Sequence, residues 1–219
     1  MSVLRLWHRI PGQSDATKIG FVSFTVAAGF YGLFQKKLLP EGISRFVSKV
    51  LFFPTLPFTY LARIGNLFTE LDETLILGVS PLSVLGHPEE LHKRGVRGVV
   101  NMCCEYSGPQ SSYNTLGIKQ LRLPTVDHFE PSVENLKAAV RFIDGYKKKG
   151  EKCYVHCKAG HGRAAAVALC WLMYQQPDRE PKDLNETLCS KRKVRKRLWQ
   201  QTNVKGFYDE LDRGTLKLQ

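Results

Sequence analysis

The sequence predicts an α/β fold, in which a central sheet is flanked by helices and preceded by an apolar and basic N-terminal extension. Three observations predict it. β-forming stretches alternate with helical patterns over roughly 150 residues, which is typical of such a fold. One stretch, Val96 to Met102, is rich in Val. Another, Lys152 to His156, leads through a Gly-bearing loop into an apolar run without Gly or Pro, Ala164 to Tyr174.

The remaining predicted strands are short and bounded by turn residues. Thr74 to Val79 contains β-formers and is followed by Ser80-Pro81. Ile118 to Leu123 alternates apolar and polar side chains, as a half-buried strand does. The polar stretch Ser107 to Asn114 contains Gly and Pro and is predicted to be a loop.

The predicted helices have recognisable ends. His87 to Arg94 is stopped by Gly95. Ser132 can cap a helix with apolar residues at helical spacing, which closes at Lys147 to Gly150. Two further helices are predicted at Pro181 to Cys189 and Val204 to Leu211.

The N-terminal region differs from the rest, and we predict two domains, 1–70 and 71–219. Ile19 to Phe34 carries no charge, and a second uncharged run, Val50 to Ala62, is interrupted by two prolines. The first run is shorter than the roughly 20 residues of a spanning helix. Three interpretations follow: a transmembrane anchor, a segment lying on a membrane, or an organelle-targeting presequence. Alternatively, both runs pack on the catalytic domain.

Composition favours an anionic partner. The net charge is +12 and the isoelectric point is about 9.5, which suits nucleic acid, an acidic membrane surface or a phosphorylated substrate. The six cysteines show no disulfide or zinc spacing, so we expect reduced thiols, no metal and no organic cofactor.

The loop between Lys152–His156 and the apolar run is the candidate site. Cys157 begins it and Arg163 ends it. A loop that enters a helix N-terminus directs backbone N–H groups at one point, which suits a phosphate and lowers the pKa of a thiol there. Arg163 can donate to two phosphate oxygens at once. We therefore predict a Cys157 nucleophile that attacks phosphorus, with the phosphate bound by Lys158, Ala159, Gly160, His161 and Gly162.

His156-Cys157-x5-Arg163 resembles the signature of the cysteine-dependent protein tyrosine and dual-specificity phosphatase superfamily. The resemblance implies a dual-specificity-phosphatase-like central sheet and an Asp, on a separate loop upstream, that protonates the leaving oxygen. Asp127 occupies that position, and Glu130 and His128 are rival donors. The resemblance also implies that His156 packs behind the loop and steadies it. Asp127 would later activate water to hydrolyse the phospho-cysteine.

The Lys-Ala-Gly interior of the loop resembles lipid-directed members of the superfamily, both the phosphoinositide 3-phosphatase type and the mitochondrial phosphatidylglycerophosphate phosphatase type. Resemblance to the second type extends over about residues 72–175. It includes Leu75 to Leu82, Gly95 to Asn101 with the following Glu105-Tyr106, and Leu121 to Asp127. This implies a phosphomonoester substrate carried by an anionic lipid.

One position departs from the family pattern. The family usually has Ser or Thr directly after the signature Arg, where its hydroxyl bonds the Cys sulfur, and this chain has Ala164. Losing a hydrogen bond to a charged sulfur costs on the order of 1.5–3 kcal/mol, or ~10–100-fold in the step that it serves. We predict normal formation of the phospho-enzyme and slow hydrolysis.

A run of basic residues, Lys191 to Arg197, follows the last part of the resemblance. It is either a solvated loop or a patch for anionic lipid headgroups, and nucleic acid is the lesser alternative. We predict a membrane-associated lipid phosphatase that acts on phosphatidylglycerophosphate, with phosphoinositides next, in the mitochondrial inner membrane or else the endoplasmic reticulum. The alternatives are a dual-specificity protein phosphatase and a weakly active phosphate-binding scaffold.

Overall fold

The structure is a computed structural model that describes residues 32–34 and 38–216. Contacts divide the chain into two units, Met1–Pro40 and Glu41–Gln219. The first apolar run, Ile19 to Phe34, lies outside the described residues except for residues 32–34. The second unit begins at Glu41, which is upstream of the predicted domain boundary at residue 70. A membrane role for residues 1–70 stays a prediction.

The second unit is an α/β domain, as the sequence predicts. Its strands form one five-stranded sheet in the order β1-β2-β5-β3-β4. The strands are β1 (Phe68–Glu70), β2 (Leu75–Gly78), β3 (Val96–Cys103), β4 (Lys119–Thr125) and β5 (Lys152–His156). β1 pairs antiparallel to β2, and the other neighbours pair in parallel.

Helices cover both faces of the sheet. They are α1 (Glu41–Leu61), α2 (His87–Lys93), α3 (Gln110–Thr115), α4 (Val133–Lys147), α5 (Arg163–Gln175), α6 (Pro181–Lys191) and α7 (Thr202–Asp212), with short 3-10 turns at Ser83–Leu85 and Leu198–Gln200. α3 lies within the stretch predicted to be a loop. Its polar sequence lacks helical periodicity, and the helix is stabilised by burial of Tyr113.

The central position of β5 determines the position of the candidate site. β5 lies between β2 and β3, and its residues Cys153, Tyr154 and Val155 are fully buried. β2, β3, β4 and β5 are parallel, so their carboxyl ends meet at one edge of the sheet. The loop from β5 to α5 lies at this edge, together with the segments that follow β3 and β4.

Helix α1 contains the second apolar run and packs partly on the domain. Phe52 and Leu56 are buried in the main hydrophobic core, and the Phe52 ring stacks on Tyr106 with centroids 5.0 Å apart. Other apolar side chains of α1, among them Phe46 and Phe53, are exposed. Within the part of the chain that the structure describes, no helix combines the length and apolar character needed to span a bilayer.

Candidate active site

The loop from β5 to α5 has its carbonyl groups bonded on the outside. The carbonyl oxygen of Lys158 accepts from the Ser80 N–H at 3.1 Å, and that of Gly162 accepts from Ala166 at 2.8 Å. The oxygens of Ala159 and Gly160 each accept from the Arg192 guanidinium at 3.1 Å. The His161 oxygen accepts from the Arg195 N–H at 3.1 Å.

The backbone N–H groups of the same loop, unlike its carbonyl groups, are not used in hydrogen bonds with the described residues. None of those from Lys158 to Gly162 donates to an acceptor among residues 32–34 and 38–216. Gly160 has a φ of +61°, and a Cβ there would lie 2.5 Å from the Gly78 carbonyl oxygen. With carbonyls bonded outwards and N–H groups unbonded, the loop forms a cradle for an anion beside Cys157. The Cys157 side chain is buried and unpaired in any disulfide.

Arg163 begins α5 and is bound on two sides. Its two terminal nitrogens lie 2.8 and 2.7 Å from the carboxylate oxygens of Glu105, and both side chains are almost fully buried. The guanidinium also donates to the Thr125 carbonyl at 2.8 Å and lies 2.9 Å from an Asp127 oxygen. Its Nε is buried and has no hydrogen-bond partner among the residues that the structure describes. The side chain is therefore fixed in orientation and keeps one donor unused.

Asp127 follows β4 and faces Arg163, so the structure brings these two predicted site residues together. Burial raises the pKa of the Asp127 carboxyl, but the charges of Arg163 and His128 and the His128 backbone N–H outweigh it. The resulting pKa lies below its usual value. His128, next in the chain, has a φ of +69°, and its ring nitrogen Nε2 is 3.8 Å from the Asp127 carboxylate. The backbone therefore changes direction sharply directly after Asp127.

Lys158, the residue after Cys157, turns towards α1. Its ammonium donates to the Thr55 hydroxyl and, at 3.4 Å, to the Leu51 carbonyl, and lies 5.5 Å from the Phe52 ring centroid. Burial lowers the pKa of Lys158, and the negative charges of Asp127 and Glu105 oppose that shift. Lys158 thus lies close enough to Asp127 to feel its charge, and α1 holds the ammonium in place.

His156 is buried at the end of β5. Burial lowers its pKa to about 3, opposed by a backbone hydrogen bond to Cys157, and the ring is therefore neutral at physiological pH. Its Nδ1 lies 3.4 Å from the Cys157 carbonyl oxygen, whereas its Nε2 has no hydrogen-bond partner in the described ranges 32–34 and 38–216. The ring also stacks on Tyr154 at 5.6 Å, so it lies behind the loop.

The opposite side of the loop is lined by basic residues that we call the basic rim, defined as Arg63, His161, Arg192 and Arg195. Arg192 is buried and ties the loop carbonyls to the Thr69 hydroxyl at 2.9 Å. Arg63 and His161 both contact the Lys193 carbonyl, at 2.8 and 3.1 Å. Within the basic run Lys191 to Arg197, Arg192 is buried in the fold, while Lys193, Lys196 and Arg197 are exposed. Contact of this run with anionic lipid headgroups stays a prediction.

Sequence reasoning missed Glu105 and Arg63 as members of the site. Glu105 lies just beyond the end of β3, at the sheet edge where the site forms. This position after a predicted strand could have indicated that Glu105 belongs to the site. Arg63 follows α1 and is distant in sequence from the loop. Nothing local to Arg63 marks it as a neighbour of Cys157.

Comparisons with known proteins identify the family. Residues 76–203 match the family described as "Dual specificity phosphatase, catalytic domain". The human protein "Phosphatidylglycerophosphatase and protein-tyrosine phosphatase 1" is 34% identical over 148 residues, which is 62% of this chain and 71% of that protein. "Phosphatidylglycerophosphate phosphatase PTPMT2" from Arabidopsis thaliana is 35% identical over 168 residues, covering 74% of this chain and 71% of the relative.

A solved structure of a similar protein has the same fold. The crystal structure of PTPMT1 in complex with PI(5)P superimposes with a TM-score of 0.60 and 28% sequence identity. The superposition covers 68% of this chain and 98% of PTPMT1. The sheet and the helices on its faces are therefore shared with that phosphatase.

Proposed function

Since the chain belongs to the dual specificity phosphatase family and is a cysteine-dependent phosphatase, we propose that it hydrolyses the phosphomonoester of an anionic lipid at a membrane surface. The leading substrate is phosphatidylglycerophosphate, which would yield phosphatidylglycerol, and phosphoinositides come next. The observation that carries the proposal is the cradle beside Cys157, in which carbonyls are bonded outwards and N–H groups are left for an anion.

Each site residue has a role in the proposed reaction. The Cys157 sulfur attacks phosphorus, forming an S–P bond as the P–O bond to the lipid alcohol breaks. The N–H groups of Lys158 to Gly162 and the unused Nε of Arg163 bind the phosphoryl oxygens, where negative charge is greatest. Water then attacks phosphorus, the S–P bond breaks, and inorganic phosphate leaves.

Asp127 would donate the proton that the departing alkoxide needs, and would take one from the attacking water. In the resting structure its carboxylate is bound to Arg163. A phosphate dianion in the cradle competes for that guanidinium and repels the carboxylate. Both effects raise the pKa of Asp127 in the complex, which favours the protonated form that the first step requires.

Two observations support a lipid substrate. The human and Arabidopsis relatives are named as phosphatidylglycerophosphate phosphatases. In addition, large apolar side chains recur at helical spacing on the exposed side of α1 and just beyond it, namely Ile43, Phe46, Val50, Phe53, Leu61 and Ile64. Such a face suits insertion into the headgroup region of a membrane. The mitochondrial inner membrane is the favoured location, with the endoplasmic reticulum as the alternative.

The test is phosphate release by the full-length protein from three substrates side by side: phosphatidylglycerophosphate, a phosphoinositide monophosphate and a phosphotyrosine peptide. We expect the highest kcat/KM on phosphatidylglycerophosphate. Cys157→Ser is the control and should release no phosphate from any of them. A clear preference for the peptide would overturn the lipid assignment.

A dual-specificity protein phosphatase is the second candidate, because the human relative is also named as a protein-tyrosine phosphatase. It would use the same chemistry on a different leaving group, and the peptide arm of the assay decides between the two. A weakly active scaffold is the third, suggested by Ala164. A phospho-cysteine that forms and turns over in the assay would exclude the scaffold.

A further inference from the structure

Two arginines of the basic rim, Arg63 and Arg195, have no acidic partner within the part of the chain that the structure describes. Arg63 is 8% exposed, and its guanidinium donates to the Lys193 carbonyl at 2.8 Å. Arg195 is half-buried, and its Nε, Cζ and Nη2 lie across Gly162, where a Cβ would approach them to 3.1–3.4 Å. Among residues 32–34 and 38–216, neither guanidinium forms an ion pair with a carboxylate.

An unpaired guanidinium of this kind is unusual, because burying a charge without a counter-charge is unfavourable. Burial lowers the pKa of Arg63, and the charge of Cys157 opposes that shift. His161 adds no fixed positive charge, since burial lowers its pKa too. Arg63 and Arg195 both act on the pKa of His161, and we call the space beside these two guanidinium groups the cationic pocket. In the described part of the chain no carboxylate is paired with either of them.

The position of the pocket indicates what the anion is. Arg195 covers Gly162 of the cradle, and Arg63 shares a carbonyl with His161 of the same loop. A phosphoryl group in the cradle would thus lie next to the pocket. A second anionic group, joined to the phosphoryl group by a short linker within the same substrate molecule, could reach it.

We propose that Arg63 and Arg195 bind the phosphodiester of a phospholipid headgroup whose phosphomonoester lies in the cradle, and so determine substrate selectivity. This rests on the proposed function and names the feature by which the enzyme recognises its lipid. Phosphatidylglycerophosphate has both groups, separated by one glycerol. Phosphatidic acid has the monoester and no phosphodiester, and it lacks the group that the pocket binds.

Arg192 is excluded from this role by its bonds. Its guanidinium is committed to the carbonyls of Ala159, Gly160 and Asn66 and to the Thr69 hydroxyl. Four of its five N–H donors are used in these bonds, and the side chain positions the loop. Arg63 and Arg195 have donors left over.

The test compares kcat/KM for phosphatidylglycerophosphate and phosphatidic acid in the same detergent micelles, so that surface binding is matched. We expect the ratio to fall about 10–100-fold in Arg63→Gln and in Arg195→Gln, as loss of a hydrogen bond to a charged group predicts. Arg63→Lys and Arg195→Lys should recover part of the ratio. Arg141→Gln, an exposed arginine on α4, is the control and should leave it unchanged.

The outcomes separate this inference from the proposed function. If the wild-type protein hydrolyses neither lipid, or prefers a doubly phosphorylated peptide, the proposed function fails. If it hydrolyses both lipids but the ratio is unaffected in both variants, the pocket is wrong and the phosphatase assignment stands. Because Arg63 is buried, the melting temperature of each variant is measured, and Arg195→Gln decides if Arg63→Gln does not fold.

Discussion

Two buried arginines beside the same loop have opposite environments. Arg163 is enclosed by carboxylates, with Glu105 bound through both terminal nitrogens and Asp127 on its open side. Arg63 lies on the other side of the loop, where its guanidinium donates to the Lys193 carbonyl and, among the described residues, pairs with no carboxylate. The difference indicates distinct tasks. A guanidinium fixed by carboxylates is positioned before the substrate arrives. A guanidinium without a carboxylate partner can receive its counter-charge from an anionic group of the substrate.

The strongest way to break this comparison is Arg163→Lys. Lysine keeps the charge but cannot bind Glu105 through two nitrogens or present a planar donor to two phosphate oxygens. We expect kcat/KM to fall about 10³-fold, by analogy with the loss of a group that stabilises transition-state charge. Steady-state phosphate release measures it, with Arg141→Lys as the control. A loss under tenfold would mean that Arg163 does not contact the phosphoryl group.

Asp127→Asn comes next and tests the carboxylate on the open side of Arg163. Asn cannot donate a proton to the leaving alkoxide, and we expect kcat to fall about 10²–10³-fold. In the wild-type protein Asp127 must be protonated to act, so the rate should fall as pH rises through its pKa in the complex.

The pH profile of the variant tests whether Asp127 is the proton donor. Asp127→Asn should lack the descending alkaline limb of the wild-type profile. The effect should also shrink for a substrate with a good leaving group, such as an aryl phosphate, which needs less protonation. Persistence of the alkaline limb in the variant would assign the proton donor to another group, with Glu130 and His128 as the residues to test.

Glu105→Gln tests whether pairing keeps Arg163 in place. The amide cannot neutralise the buried guanidinium, and removing one partner of a buried ion pair typically costs about 3–5 kcal/mol. We expect a lower free energy of unfolding in urea and a roughly tenfold fall in kcat/KM, because Asp127 still contacts Arg163. Unchanged stability would show that Glu105 is not needed to balance the charge. Glu151→Gln, on the loop before β5, serves as the matched control.

The smallest effect is expected from Ala164→Ser, next to Arg163. A hydroxyl there would offer the Cys157 sulfur a hydrogen bond as it leaves in the second step, and we expect kcat to rise about 3–10-fold. Rapid-quench kinetics should show a burst of leaving alcohol in the wild-type protein and a smaller burst in the variant. The absence of a burst in the wild-type protein would contradict slow hydrolysis.

The sequence predicts the parts of the site that depend on local order. The strand, loop and helix from Lys152 onwards have a continuous pattern, and Asp127 follows a strand parallel to it. Both therefore lie at the carboxyl ends of parallel strands, β5 and β4, which are separated in the sheet by β3 alone. The α/β class follows from the same alternation and is confirmed.

The long-range partners could not be predicted in this way. Arg63 reaches the loop because α1 packs through Phe52 and Leu56, a consequence of tertiary burial that periodicity does not locate. Arg192 looks like one of several surface cations in its run until the fold buries it beside Ala159 and Gly160. Pro54 and Pro57 likewise argue against a helix in the sequence, because proline disfavours helix interiors. The helix α1 nevertheless forms across both prolines and packs on the domain.

Helix α1 lies outside the family region 76–203, yet it contacts residues inside that region. Its Thr55 hydroxyl and Leu51 carbonyl accept hydrogen bonds from the Lys158 ammonium, and its Phe52 ring stacks on Tyr106. A protein shortened to the family region would open that part of the core to water and release Lys158. Inhibitor screens and kinetic constants obtained on such a fragment would then describe a different enzyme, with a looser loop and altered charge around its nucleophile.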